Sequence, residues 1–321
     1  MRERRDATLT IPCSSIPAVL AILLALGLLS AGCSGPEEVP RTDPQYGALV
    51  IAAEGRFAAG QTGQAVESFG RALQRARAMD DPAAISDCAY NLAACLLSLG
   101  DLDGACVYLL EARHAAERNG RTRLDALLLE AQIARLQGRT VDAAALCDEI
   151  LSGAGDDDDE TLWQIEVSLL QARLACGAGA TLDARAHYDR AANHLDEIDD
   201  PHLRAEAALT EGEVLLLEGS HAAAARSFEA QARSLRRAGR YGDMAYALLR
   251  AGEASLDASD PAGAADSLFR GARSLFAQGE PGAQAAAQSA RAAAQRANDP
   301  NLLERIDLLL LEIDEAKNQS P

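Results

Sequence analysis

Aromatic residues make up only 4% of this 321-residue chain, although 48% of it is apolar. The apolar content is therefore mostly Ala and Leu, the strongest helix formers. No stretch alternates Val, Ile or Thr, so strands are not expected. Lysine is almost missing, Lys317 being the sole example. With 30 basic against 48 acidic residues the net charge is −18. A body this acidic repels phosphate backbones, which disfavours a nucleic-acid role. A basic partner is electrostatically easier. Motifs that carry chemistry are missing too: there is no Gly-x-Ser-x-Gly elbow, no phosphate-cradling glycine loop and no His-Glu-x-x-His pair. His114, His187, His194, His202 and His221 have no acidic or Cys partner at metal-ligand spacing. The expectation is a non-enzyme that needs no cofactor and no metal.

The N-terminal end is unlike the rest. Residues 1–15 carry three arginines, residues 16–29 form an uncharged apolar run, and Ser30-Ala31-Gly32-Cys33 follows. Positive segment, short apolar run and small residues, in that order, are those of a secretory signal. The apolar run is shorter than the roughly 20 residues that span a bilayer. Leu29-Ser-Ala-Gly-Cys33 resembles a lipobox, with the Leu four residues before the Cys instead of the usual three. That resemblance implies a signal peptide over 1–32 and diacylglycerol on the Cys33 thiol. An uncleaved anchor, or cleavage by the ordinary signal peptidase, are the alternatives. Ser34 follows the Cys where Asp would imply retention, so in a Gram-negative cell the outer membrane is the implied address, with the chain facing the periplasm. Residues 34–43 are Pro-rich and polar, and with Cys33 they read as a tether of at most about 33 Å.

From residue 44 onward the sequence repeats. Gly60, Gly100, Gly138, Gly179, Gly219, Ser259 and Asp299 recur at intervals of 38–41 residues. Five residues after the first six stand Ala65, Ala105, Ala143, Ala184, Ala224 and Ala264, and four further on Phe69, Leu109, Cys147, Tyr188, Phe228 and Leu268. Seven before each turn is another small residue: Ala53, Ala93, Ala131, Ala172, Gly212 or Gly252. Two antiparallel helices pack closely where small side chains face each other, and a bulky one fills the next hole. Asp43, Asp81, Asp200, Asp260 and Asp299 each precede a proline at a proposed helix start. There Asp caps free amides and Pro takes a position that needs no donor. The reading is an all-α solenoid of seven helical hairpins over 44–321, with helices near 45–59, 62–78, 82–98 and 102–118, and so on to 281–297 and 301–317.

The stretch Asn91-Leu-Ala-Ala-Cys-Leu-Leu-Ser-Leu-Gly-Asp-Leu-Asp-Gly-Ala105 resembles the tetratricopeptide family, including its Leu-Gly-Asp turn. The likeness extends over roughly 45–317. The period of about 40 exceeds the usual 34, which implies longer helices and a different pitch. What the resemblance implies is a protein-interaction scaffold or adaptor, here lipid-anchored in the bacterial cell envelope. Lipoproteins of the outer-membrane-protein assembly and pilus-secretin pilot types share that architecture. A spacer without ligand, or a small-ligand receptor or enzyme using the groove, are the alternatives.

In tetratricopeptide arrays the first helix of each hairpin usually lines the groove. Thirteen residues before the turn, that helix offers Asp87, Asp125, Glu166, Glu206 and Tyr246. Six before come Glu54, Gln132, Arg173, Glu213 and Glu253. This forms a ladder of carboxylates, expected to receive a partner segment rich in Arg or Lys; a merely solvated acidic face is the competing account. The run Asp156-Asp157-Asp158-Asp159-Glu160 reads as favourable charge at a helix N-terminus, since a calcium loop needs spaced ligands. Cys147 occupies a hole-filling position, while Cys95 and Cys106 face the choice between free thiols and a disulfide. In the last helix, Leu308–Leu311 covers all sides, leaving core packing or an interface open.

Overall fold

The computed structural model describes residues 43–154, 159–195 and 198–319. The signal, Cys33, its tether and Asp156–Asp158 lie outside the described residues. Fourteen α-helices and no strands occur among those described. They form seven hairpins: α1 (Pro44–Ala58) with α2 (Thr62–Met79), α3 (Pro82–Ser98) with α4 (Leu102–Arg118), α5 (Leu124–Leu136) with α6 (Thr140–Gly153), and α7 (Asp159–Gly177) with α8 (Thr181–Ala192). Then follow α9 (Pro201–Leu217) with α10 (His221–Arg237), α11 (Tyr241–Asp257) with α12 (Pro261–Ala277), and α13 (Ala283–Ala297) with α14 (Pro300–Gln319). No helix among the described residues is long and apolar enough to cross a membrane.

The turn inside each hairpin needs one left-handed residue. Gly60, Gly100, Gly138, Gly179 and Gly219 supply it at φ between +71° and +81°, where glycine meets no Cβ penalty. In the sixth hairpin Ser259 takes φ +59° itself. In the seventh the left-handed residue is Asn298, φ +56°, and not Asp299 as the spacing suggests. Asp299 instead caps α14, accepting from the Leu302 N–H at 3.0 Å. Asn tolerates the left-handed region better than most residues, so turn and cap occupy successive positions. The other Asp-Pro pairs cap as well. Asp43 accepts from Tyr46 N–H, Asp81 from Ala83 and Ala84, Asp200 from His202, and Asp260 from Gly263.

Within each hairpin the small and bulky positions interlock. Ala53, Ala93, Ala131 and Ala172 are fully buried, as are Ala65, Ala105, Ala143, Ala184, Ala224 and Ala264. Phe69, Leu109, Cys147, Phe228 and Leu268 fill the holes one turn on, each apolar side chain of Leu or Phe size contributing about 1.5–3 kcal/mol by leaving water. Gly252 has to be glycine for its partner, because a Cβ there would stand 2.5 Å from Leu268 Cγ. Tyr188 is the exception, only half-buried, with the Arg185 guanidinium 5.6 Å from its ring centroid. A phenol with a polar tip suits a position at the edge of the core. Cys88, Cys95, Cys106, Cys147 and Cys176 are all free thiols.

Between hairpins each second helix packs on the next first helix, as α2 on α3 and α10 on α11, and α7 also adjoins α9. Apolar burial is divided among several clusters along the chain, one spanning α1 to α5 and another α11 to α14. On α14, Leu302, Ile306, Leu309 and Ile313 pack against Ala286, Ala287, Ala290, Ala293 and Ala294 of α13. Core packing accounts for that face, whereas Leu308 and Leu311 are exposed.

Candidate functional site

The first-helix layer is unusually enclosed. On α3 buried residues point in nearly every direction, including Ile85, Ser86, Cys88, Tyr90, Leu92 and Cys95. Charged groups placed in such a layer must find partners, because an unpaired buried charge is expensive. Most of the acids do find them, in arginines standing between adjacent first helices.

Arg123, just ahead of α5, makes the first cluster. Its Nε and Nη2 hold the two Asp125 carboxylate oxygens at 3.0 Å each, and its Nη1 donates to Asp87 of α3 at 2.7 Å. The same Nη1 donates to the Ser86 hydroxyl at 3.0 Å, and the guanidinium lies 4.4 Å from the Tyr90 ring centroid. Asp87 and Asp125 are thereby tied to each other through one cation. A fork-shaped guanidinium suits this task better than an ammonium.

Arg173 of α7 makes the second. Only 6% exposed, it pairs with Glu206 and, at 3.2 Å, with Glu213, both on α9. Arg250 of α11 reaches the other Glu213 oxygen at 3.2 Å and lies 4.2 Å from the Phe228 ring centroid. Burial pushes the Glu213 carboxyl up, but Arg173, Arg250 and Arg135 together pull it below the usual carboxylate range. Arg135 of α5 is held less well. Burial, and then Arg173, bring its guanidinium down to about 10, and its Nε has no hydrogen-bond partner.

Glu166 of α7 is the most buried acid of the strip, 8% exposed, and like Glu253 it pairs with no arginine. Burial raises its carboxyl to about 8, reinforced by Glu206, Asp200 and Asp125. The Tyr90 hydroxyl of α3 is buried without a partner. Burial, with Asp125 adding to it, holds that phenol far above its ordinary range.

The structure thus brings Asp87, Asp125, Glu166, Glu206 and Glu213 into one strip across α3, α5, α7 and α9. Tyr246, half-buried on α11, and Glu253, exposed on the same helix, stand outside the arginine-bridged clusters. Instead of an open ladder of carboxylates the strip alternates acids with Arg123, Arg173 and Arg250. The physical reason is that acids in one register on adjacent helices approach each other and repel unless a cation separates them. Arg123, Arg135 and Arg250 occupy no common repeat position, so periodicity carries no signal for them. Among the described residues no three His, Cys, Asp or Glu side chains gather as a metal site.

No protein-family model matches the sequence, and no curated protein matches it. Solved structures do resemble it. A signal-transduction ATPase with a tetratricopeptide repeat sensor from Pyrococcus horikoshii superposes with a TM-score of 0.52 at 15% identity, over 84% of this chain and 43% of that one. The apo form of RapI gives 0.52 at 10% identity, over 86% of this chain and 77% of that one. A tetratricopeptide repeat protein from Parabacteroides merdae gives 0.43 at 15% identity, over 84% and 98% of the two chains. At such identities the likeness concerns the fold alone, which is a tetratricopeptide-like helical-repeat solenoid.

Proposed function

From this fold we propose that the chain is a scaffold or adaptor of the bacterial cell envelope, anchored to the membrane by lipid on Cys33 and holding partner proteins on its first-helix face. Asp87, Asp125, Glu166, Glu206 and Glu213 form the core of that face, with Tyr246 and Glu253 extending it. The observation that carries the reading is the strip of mostly paired charge running through four successive first helices, exposed at Asp87 and buried at Glu166 and Arg173. A spacer needs only apolar stacking between hairpins, and buried ion pairs contribute little or nothing to stability over apolar replacements. Charges buried at that cost, as at Arg173 and Glu166, are better explained by a surface that selects its partner. The N-terminal pattern supports the anchor, and the short stretch before α1 would hold the array within a few nanometres of the bilayer.

Two experiments in intact cells test this. A photo-crosslinking residue at Asp125 or Glu253 is expected to capture the same defined proteins, identified by mass spectrometry. A spacer would yield no defined adduct, and a small-ligand receptor would instead carry a bound metabolite in native mass spectra. For the anchor, Cys33→Ser should abolish labelling by an alkyne-tagged fatty acid and free the chain from the membrane fraction. Unchanged labelling overturns the assignment of Cys33.

A further inference from the structure

Helix α10 carries four arginines, Arg226, Arg233, Arg236 and Arg237, against a single acid, Glu229. All four arginines are exposed, in a chain whose acids outnumber its bases by 48 to 30. Arg226, Arg233 and Arg237 stand seven and then four positions apart, which keeps them in one stripe along the outer side of the helix. Glu229 is already engaged elsewhere. Its Oε1 accepts from the Ser267 hydroxyl at 2.8 Å and pairs with Arg270, both on α12, at 3.1 Å, while Arg233 stands 3.8 Å from the other oxygen. Arg226, Arg236 and Arg237 pair with no acid among the described residues. On α12, Arg273 takes the place of Arg233 one repeat later, exposed, with its guanidinium 5.5 Å from the Phe269 ring centroid. The Glu229 contacts hold α10 and α12 side by side, so their cations share one surface. A cation in the last turn offsets the helix dipole, which accounts for Arg236 and Arg237 but not for Arg226 or Arg233.

We propose that this stripe, flanked by Arg236 and Arg273, docks a short acidic segment of a protein partner. From Arg226 to Arg237 it runs about 16 Å along the helix axis, the reach of about five extended residues. Arg233 and Arg237 lie about 6 Å apart along that axis, close to the roughly 6.8 Å between alternate side chains of an extended strand. Their guanidinium forks match carboxylates two bonds at a time. The net charge of −18 argues for a short occupant. A broad anionic surface, such as a bilayer, would bring the acidic remainder of the chain against it. A segment confined to the stripe is screened from charges farther off than about 8 Å. This adds a second face to the one formed by first helices, and it does not require that face to bind anything.

Fluorescence anisotropy of a labelled hexaglutamate amide, titrated with the full chain, tests it. Hexaglutamate should bind, and bind more weakly as salt rises, while the hexaglutamine analogue should not bind. Arg226→Gln and Arg237→Gln each remove an exposed cation that holds no other group, and each should weaken binding about two- to fivefold. The double variant should weaken it about tenfold. Arg296→Gln takes the same charge from an exposed site on α13 and should change nothing. An equal loss in Arg296→Gln would mean that total charge alone is read, and it overturns the stripe. Equal binding of hexaglutamine, or no binding of hexaglutamate, overturns it too. Vesicles rich in phosphatidylglycerol serve as the second probe. Sedimentation with them that the double variant leaves unchanged agrees with a protein segment as occupant. Sedimentation lost in the double variant would assign the stripe to a membrane surface and overturn the proposal.

Discussion

A Cβ on Gly212 would lie 2.7 Å from Phe228 Cζ and nearer still to Cε1. The Phe228 ring is fully buried, with the Arg250 guanidinium over it, so it has nowhere to go. Overpacking of this kind costs about 1–3 kcal/mol, enough to outweigh the roughly 1 kcal/mol that Ala gains over Gly in a helix. Gly212→Ala should therefore lower the urea midpoint, whereas Gly55→Ala, at an exposed site with open space around it, should raise it. Two shifts of the same sign would contradict the packing account. Glu166 makes a second residue-scale claim. Its carboxyl is raised by burial to about 8 in the fold, against about 4.3 unfolded, so the folded state binds the extra proton between those values. Stability then falls as pH rises from about 4.5 to 8, by on the order of a few kcal/mol, and levels off above. Glu166→Gln should flatten that part of the curve and be the more stable protein at pH 8; a wild-type slope retained in the variant would refute the assignment. The interlocking of small and bulky positions is legible in the sequence, because it repeats with the period. The special state of Glu166 is not, since Asp87, Asp125 and Glu206 hold the same register and differ only in which arginine the next helix brings.

Turn chemistry decides the elements. Five of the seven hairpins use glycine at the left-handed position, and the last uses Asn298. Ser259 alone of the seven carries an ordinary side chain there, at φ +59°, a conformation that costs an L-residue roughly 1–2 kcal/mol. Ser259→Gly should relieve that strain and raise thermal stability by about 0.5–1 kcal/mol after the greater chain entropy of glycine is counted. An unchanged or lowered melting temperature would show that α12 does not depend on this turn. Helix starts are readable wherever an Asp-Pro pair stands, because cap and first-turn proline are local chemistry. They blur where such a pair is missing. Helix α13 begins at Ala283 after a left-handed Gly282, two residues later than the sequence pattern places it, because Pro281 there follows Glu280 with no capping Asp. At the far end Asn298 and Asp299 divide a turn and a cap that spacing alone assigns to one residue.

Across the whole molecule, stability is a sum over neighbours, since each hairpin touches only those beside it. That sum is uneven. Helix α3 buries eleven residues from Ala84 to Leu97, while α6 buries only Ala143, Cys147 and Ile150, and α8 only Ala184 and Ala191. The apolar contacts of α5 to α7 form a cluster of their own, separate from the one reaching from α1 to α5 and from the one at α11 to α14. Local opening requires least where fewest apolar groups leave their partners. Native-state hydrogen exchange should therefore find α6 and α8 exchanging well before α3 and α12, with free energies of opening below that of global unfolding. The ion pairs of Arg173 with Glu206 and Glu213 join α7 to α9 and do nothing to hold α8, so they would slow the parting of first helices without protecting the second ones. Protection equal in all seven hairpins would mean that the array opens as one cooperative block, and that the division of its core into clusters has no energetic consequence. The repeat period announces seven hairpins but is silent on this inequality, which arises from which residues, Cys147 or Phe228, Tyr188 or Leu268, happen to fill equivalent holes.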